Sequence, residues 1–414
     1  MALILQKFGG TSVANIERIN KVALRVKAEV DKGNEVVVVV SAMAGVTDQL
    51  VSLVNNISTL SKAQSWAEYD SIVSSGEQVS SGLLALALQN LGIQSRSWSG
   101  WQLPFKTDKA HSKARIEDID VTPILNGLKE KEVAVVAGFQ GISPDYRITT
   151  LGRGGSDTSA VALAAKLHAK RCDIYTDVDG IYTADPRIVN KACKLAKVSY
   201  EEMLEMASLG AKVLQTRSVE MAMKHHVPLC VLSSFNDIPG TFVVDEDKDM
   251  EKKLITAVTY SRNEAMVVLR GMPDQLQISA AIFGPLADAN INVDMIVKNV
   301  SENGDKSDIT FTVPREDLHN TEQLLYQESG SIKFESLTAY ANIAKVSIIG
   351  VGMRSHSGVA KQMFQVLADK GINIIVISTS EIKISVLIKE EYMELALRSL
   401  HTAFELDREE NLEV

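Results

Sequence analysis

The sequence predicts an α/β protein with a largely parallel central sheet over residues 1–245, followed by two copies of a smaller α/β module. Three observations predict it. The β-branched run Glu35-Val-Val-Val-Val-Val40 suits a strand buried on both faces, the usual situation in parallel sheets. Strand-like runs alternate with helix-length amphipathic patterns, the order expected of β-α-β units. The last third of the chain repeats itself: Gly271-Met272 aligns with Gly352-Met353, 81 residues on, and Phe283, Leu286-Ala-Asp288 and Ile291-Asn292 align with Phe364, Leu367-Ala-Asp369 and Ile372-Asn373.

The elements follow in order. The apolar stretch Ala2 to Leu5 leads into Lys7-Phe-Gly-Gly-Thr-Ser12 and a helical pattern from Ile16 to Lys32. After the valine strand, a helix is expected over Tyr69 to Leu91 and a strand over Glu132 to Ala137. The glycine-rich run Leu151-Gly-Arg-Gly-Gly-Ser-Asp-Thr158 then precedes a helix over Ser159 to His168. Asp173 to Thr176 reads as a strand, Tyr200 to Lys224 as a helix and Pro228 to Leu232 as a strand. The turn Asn236-Asp-Ile-Pro-Gly240 and the charged run Asp245 to Lys253 mark a solvated linker, placed at 246–263. The two repeats follow as modules over 264–340 and 341–414, too few copies for a solenoid.

The glycine runs carry the chemistry. Glycine lets a backbone approach an anion closely, and a helix N-terminus presents unpaired N–H groups with partial positive charge. Two such loops, one with Lys7 and one with Arg153, point to phosphoryl transfer. Neither matches G-x-x-x-x-G-K-[ST], and no G-x-G-x-x-G lies between a strand and a helix, so a P-loop ATPase and a nicotinamide dehydrogenase are disfavoured. The net charge of −9 and the lack of a basic aromatic patch argue against a nucleic-acid partner. Cys172, Cys193 and Cys230 show no C-x-x-C spacing and read as packing residues in a reducing cytoplasm. No run reaches the 18 or so apolar residues of a membrane span, and no signal segment opens the chain, so a cytoplasmic protein is expected. The adjacent His225 and His226 point in different directions on a helix and read as surface residues rather than metal ligands.

Four segments together resemble the signature segments of aspartate kinases: Lys7-Phe-Gly-Gly-Thr-Ser12, Ser75-Gly-Glu77, Gly152-Arg-Gly-Gly-Ser-Asp157 and Thr176-Asp-Val-Asp-Gly-Ile-Tyr-Thr-Ala-Asp-Pro-Arg187. The repeat resembles the tandem ACT domains of those enzymes, and the whole chain is most similar to their monofunctional, lysine- and threonine-sensitive bacterial type. The resemblance implies an amino-acid kinase fold followed by two ferredoxin-like ACT domains. It implies transfer of the ATP γ-phosphoryl to the β-carboxylate of L-aspartate, with Mg2+ carried by ATP and no dedicated metal ligands. By resemblance Lys7 stabilises the transferring group, with Gly9 and Gly10 offering N–H groups, and Asp157 organises the lysine. Ser41, Thr47, Glu77, Arg153, Gly154, Gly155 and Ser156 fall at the aspartate site, with Glu77 toward the ammonium and the planar Arg153 fork toward the α-carboxylate. Thr176, Asp177, Tyr182, Asp185, Arg187 and Lys212 fall in the nucleotide segment.

For the ACT domains the resemblance implies inhibition by lysine, threonine or both, at interfaces between modules of a homo-oligomer. Asp274, Asn292, Asp294, Asn373, Ile374, Ser380 and Glu381 are the candidate effector contacts. Another amino-acid kinase would keep the fold but not the tandem repeat. A non-catalytic amino-acid sensor would keep the repeat but has no use for Lys7, Glu77, Arg153 and Asp157 together.

Overall fold

A computed structural model describes residues 2–60, 62–209, 213–248, 250–275, 277–301 and 305–408. The chain divides into two compact units, Met1–Tyr182 with Lys194–Glu251, and Thr183–Cys193 with Lys252–Arg408.

The first unit is built on an eight-stranded sheet. Its order is Lys197–Ser199, Thr241–Val244, Leu229–Ser233, Arg171–Thr176, Leu3–Phe8, Glu35–Val40, Val133–Ala137 and Ser95–Trp98. All neighbours are parallel except Leu229–Ser233 against Thr241–Val244. The valine strand is central, with Val36 to Val40 at most 1% exposed, which is why every position along it is branched and apolar. Helices Ile16–Asp31 and Ser75–Asn90 cover one face through Ile19, Val22, Val26, Leu84 and Leu88. Helix Gly155–Lys166 has buried residues all round, which explains its lack of a polar stripe and its alanine-rich composition. Its first turn takes in Gly155 to Thr158, so the second half of the glycine run is helix and not loop.

A second, four-stranded sheet, not foreseen from the sequence, joins Phe105–Thr107, Ile116–Ile119, Gln140–Ile142 and Ile148–Thr150. The helix expected over 69–91 is two helices, Ala63–Val73 and Ser75–Asn90, and the one expected over 200–224 is Tyr200–Ser208 and Thr216–His225. A full capping box of Ser199 and Glu202 starts the helix at Tyr200.

The second unit is a six-stranded antiparallel sheet in the order Ile296–Val300, Lys306–Val313, Ala257–Pro273, Ser336–Ile349, Lys383–Lys389 and Val376–Thr379. Helices Ile278–Asp288 and Val359–Asp369 keep the spacing of the sequence repeat. The modules are not consecutive beads. Ala257 to Ser261 pair with Ile349 to Lys345, whereas Met266 to Arg270 pair with Tyr340 to Ser336, with the register shifting on either side of Glu264. Two long strands thus run through both modules, and the first module is nested inside the second. The strand opens at Ala257, within the span read as a linker, because residues 257–261 supply the outer module's first strand. Ala265, Val267 and Leu269 face helix Ile278–Asp288 in one core, while Val258, Val346 and Ile348 face Val359, Met363 and Leu397 in another. Segment Thr183–Cys193 joins this second core through Ala184, Ile188 and Val189.

Candidate active site

Strand Leu3–Phe8 lies between Glu35–Val40 and Arg171–Thr176. Ligands of such sheets gather beyond the carboxyl ends of the strands. Beyond the ends of Leu3–Phe8 and Glu35–Val40 there is a cleft of about 560 Å³. Lys7 lines it from the first strand, Gly10 from the turn after it, and Ser41, Ala42, Gly45 and Thr47 from the loop and helix that follow the valine strand. Glu77 enters from the first turn of helix Ser75–Asn90, and residues 152–157 close the opposite wall.

The wall depends on Gly154. It caps helix Gly155–Lys166 at φ 69°, and a Cβ there would lie 2.0 Å from the side chain of Gln215, so both its conformation and its surroundings require glycine. The turn delivers Ser156 and Asp157 into the cleft at the positive end of the helix. Asp157 Oδ1 lies 2.5 Å from Lys7 Nζ, both side chains being about nine-tenths buried. Asp157 Oδ1 has no aligned hydrogen-bond partner, so the contact is an ion pair held by charge. Gly9 does not offer a free donor as expected: its N–H is engaged by the carbonyl of Tyr175 at 3.2 Å, which ties the glycine loop to the adjacent strand.

Glu77 is 3% exposed. Burial pushes its carboxyl up to about 7, partly offset by hydrogen bonds from the backbone N–H groups of Ala42 and of Glu77 itself. Its Oε2 is buried and without a hydrogen-bond partner among the described residues. An uncompensated buried carboxylate is costly, and a cation or strong donor placed there would remove the cost. Arg153 is the converse case, an exposed guanidinium in the cleft wall with no ion-pair partner among the described residues. Tyr69, Ser112, Phe139 and Thr150 also line the cleft and were missed by sequence reasoning. Tyr69 comes from helix Ala63–Val73, Thr150 from the second sheet, and Ser112 and Phe139 from segments leading into its strands, none of which carries a motif.

The nucleotide-segment candidates are spread out. Thr176 and Asp177 follow the carboxyl end of the strand beside Leu3–Phe8, with the Thr176 hydroxyl donating to Asp177 at 3.2 Å. Tyr182 belongs to the same unit, and its hydroxyl donates to Asp179 at 3.0 Å; burial and that carboxylate push it up to about 12. Asp185 and Arg187 belong to the second unit, where Asp185 accepts from Arg187 at 2.7 Å and from the Tyr260 hydroxyl at 3.1 Å. Lys212 lies outside the described residues.

In the nested modules, two candidate effector carboxylates are already engaged. Asp274 pairs with Lys298 at 2.5 Å. Asp294 pairs with Lys345, which also holds Glu264 at 2.7 Å. Burial opposes the charge of Lys345, but Glu264 and Asp294 more than offset it and hold the ammonium above the usual lysine value. Asn292 and Asn373 are exposed at matching positions of the repeat, with Ile374 half-buried. The Ser380 N–H bonds the Lys383 carbonyl at 2.8 Å, and Glu381 lies 3.6 Å from Arg354.

A carboxyl-end cleft with a paired lysine and aspartate, an orphaned acid and an unpaired arginine is the equipment of a phosphotransferase for a small zwitterion. Residues 2–233 match the amino acid kinase family, and residues 266–328 and 346–404 match the ACT domain family. The chain is 54% identical to a Pseudomonas aeruginosa aspartokinase, over 98% of each. It superposes on E. coli aspartokinase III in complex with aspartate and ADP (R-state) with a TM-score of 0.77 and 28% identity, covering 97% of this chain and 99% of that one. The same enzyme in complex with lysine and aspartate (T-state) gives 0.75 and 27%, with the same coverage. The chain belongs to the aspartokinases of the amino acid kinase family.

Proposed function

We propose that the chain transfers the γ-phosphoryl group of ATP to the β-carboxylate of L-aspartate, giving 4-phospho-L-aspartate, the first step toward lysine, threonine and methionine. The observation that carries this reading is the meeting in one cleft of the Lys7–Asp157 pair, the orphaned Glu77 Oε2 and the unpaired Arg153. Those groups match the charges of a bound aspartate. Glu77 takes the α-ammonium, the Arg153 fork takes the α-carboxylate, and Ser41, Thr47, Gly155 and Ser156 border the remaining polar surface.

The attacking carboxylate is already ionised at neutral pH, so no general base is needed and catalysis rests on positioning and charge neutralisation. Lys7 meets the charge that develops on the transferring group, and Asp157 holds the lysine in place. Thr176, Asp177, Tyr182, Asp185, Arg187 and Lys212 are the proposed nucleotide contacts. Mg2+ bound on the ATP phosphates would supply further charge neutralisation. Among the described residues no group of three or more His, Cys, Asp or Glu side chains could hold a metal ion.

The nested modules are the proposed seat of inhibition by lysine, threonine or both, with Asp274, Asn292, Asp294, Asn373, Ile374, Ser380 and Glu381 as contacts in a cytoplasmic homo-oligomer. The test is hydroxamate trapping of the acyl phosphate with ATP and Mg2+. Aspartyl hydroxamate should form with aspartate and not with glutamate or acetylglutamate, and should fall when lysine, threonine or both are added. Formation with another acid and not with aspartate would overturn the assignment.

A further inference from the structure

Asp70 is fully buried in helix Ala63–Val73 and is outside the four signature segments. Its carboxylate is the acceptor for a ring of donors brought from distant parts of the chain. The Thr150 hydroxyl donates to Oδ1 at 2.5 Å, the Ser112 N–H is shared by Oδ1 and Oδ2 at 3.1 and 3.0 Å, and His111 Nδ1 lies 2.7 Å from Oδ2. A carboxylate with no access to water is tolerable only when so surrounded, and the same bonds fix whatever carries the donors.

Those donors sit on the two segments at the base of the Arg153 turn. The Ala114 N–H bonds the Thr150 carbonyl at 2.9 Å, joining the segments to each other. Arg217 braces them separately, donating to the carbonyls of Leu151 at 2.7 Å and Ala114 at 3.0 Å. Gly152 follows at φ 77°, with room for a Cβ only 3.1 Å from the Ser112 carbonyl. Ser112, Thr150, Gly152 and Arg153 all line the cleft. Arg153 itself has no ion-pair partner among the described residues, so its placement is set by the turn beneath it.

We propose that Asp70 is a positioning residue for substrate recognition: by clamping Ser112 and Thr150 it fixes the turn from which Arg153 reads the α-carboxylate of aspartate. This rests on the substrate role given to Arg153 above. Small displacements of a positioning group are expensive, a shift of about 1 Å being worth up to about 100-fold.

The test is a double-mutant cycle on the full chain, with Michaelis constants for aspartate and ATP measured separately and folding checked by thermal denaturation. Asp70→Ala should raise the aspartate KM by about 10-fold or more and leave the ATP KM within about twofold. Asp70→Asn, which keeps an acceptor for the Ser112 N–H, should recover most of the loss. In an Arg153→Ala background, Asp70→Ala should add less than about twofold, because the group it positions is gone. An equal increment in both backgrounds, or equal changes in both Michaelis constants, would overturn the proposal and leave Asp70 a purely structural residue. If Asp70→Ala does not fold, Thr150→Val enters the same cycle with the same criteria. Arg153→Ala alone tests the underlying reading: an unchanged aspartate KM there overturns the role of Arg153, and the role of Asp70 with it.

Discussion

The cleft of the first unit and the nested modules of the second treat charge in opposite ways. In the catalytic cleft Glu77 is left with an orphaned oxygen and Arg153 without an ion-pair partner among the described residues, while Lys7 and Asp157 form a pair without hydrogen-bond alignment. In the nested modules the buried Lys345 is held by Glu264 and Asp294, and the exposed Asp274 is paired with Lys298. An incomplete set of charges stores a cost that a ligand of complementary charge relieves, whereas a completed set holds the fold together and must be opened before it can bind anything. Unsatisfied groups therefore mark the first unit's site more sharply than charge alone marks any site in the second.

The largest expected effect tests the completed set. Lys345→Met would strand Glu264, 7% exposed, at the register shift between the modules, and should cost about 3–5 kcal/mol in urea denaturation. Asp294→Ala leaves the Lys345–Glu264 pair intact and removes a side chain that is 53% exposed, so its cost should stay below about 1 kcal/mol. Equal losses would show that the cluster is not organised around Glu264.

Next comes the incomplete set. Lys7→Ala should lower kcat by about 100-fold or more with little change in the aspartate KM, measured by steady-state assay. A rise in KM with kcat preserved would make Lys7 a binding residue rather than a stabiliser of the transferring group.

The smallest effect concerns Glu77 and pH. Its folded-state value near 7 lies above the ordinary 4.5, so folding favours the protonated form. The resulting penalty is absent below about pH 4.5, grows through the interval and is complete above about pH 7. Glu77→Gln should therefore stabilise the ligand-free protein at pH 8 by up to about 3 kcal/mol and have little effect near pH 4. Aspartate should reverse this in the parent, protecting it from thermal unfolding more strongly at pH 8 than at pH 6. A pH-independent difference would show that Glu77 does not titrate in this range.

Much of this was legible along the chain where physics is local. The valine strand, the helix from Ile16 and the glycine turns announce themselves through branching, period and backbone freedom. The second sheet did not, because its strands have three or four residues, too few for a period to emerge. The segments that resemble family signatures delivered Lys7, Glu77, Arg153 and Asp157 to one cleft. Asp70 was invisible because the partners that give it meaning lie 41, 42 and 80 residues away. The repeat was plain, yet its nesting was not, since residues 257–261 join the outer module through pairing with residues 345–349 and through Val258 in its core, both distant in sequence.

That nesting constrains how the gene can be reshuffled. The inner module leaves and re-enters at neighbouring points in the middle of two paired strands, near Glu264 and Ile343, so two crossovers there would exchange it as a cassette with its own core intact. No pair of crossovers can lift out the outer module alone, because its first strand and the rest of it lie on either side of the inner one. Among relatives that trade segments, the inner half is thus free to acquire a separate ancestry, while the outer half keeps its own only in two pieces.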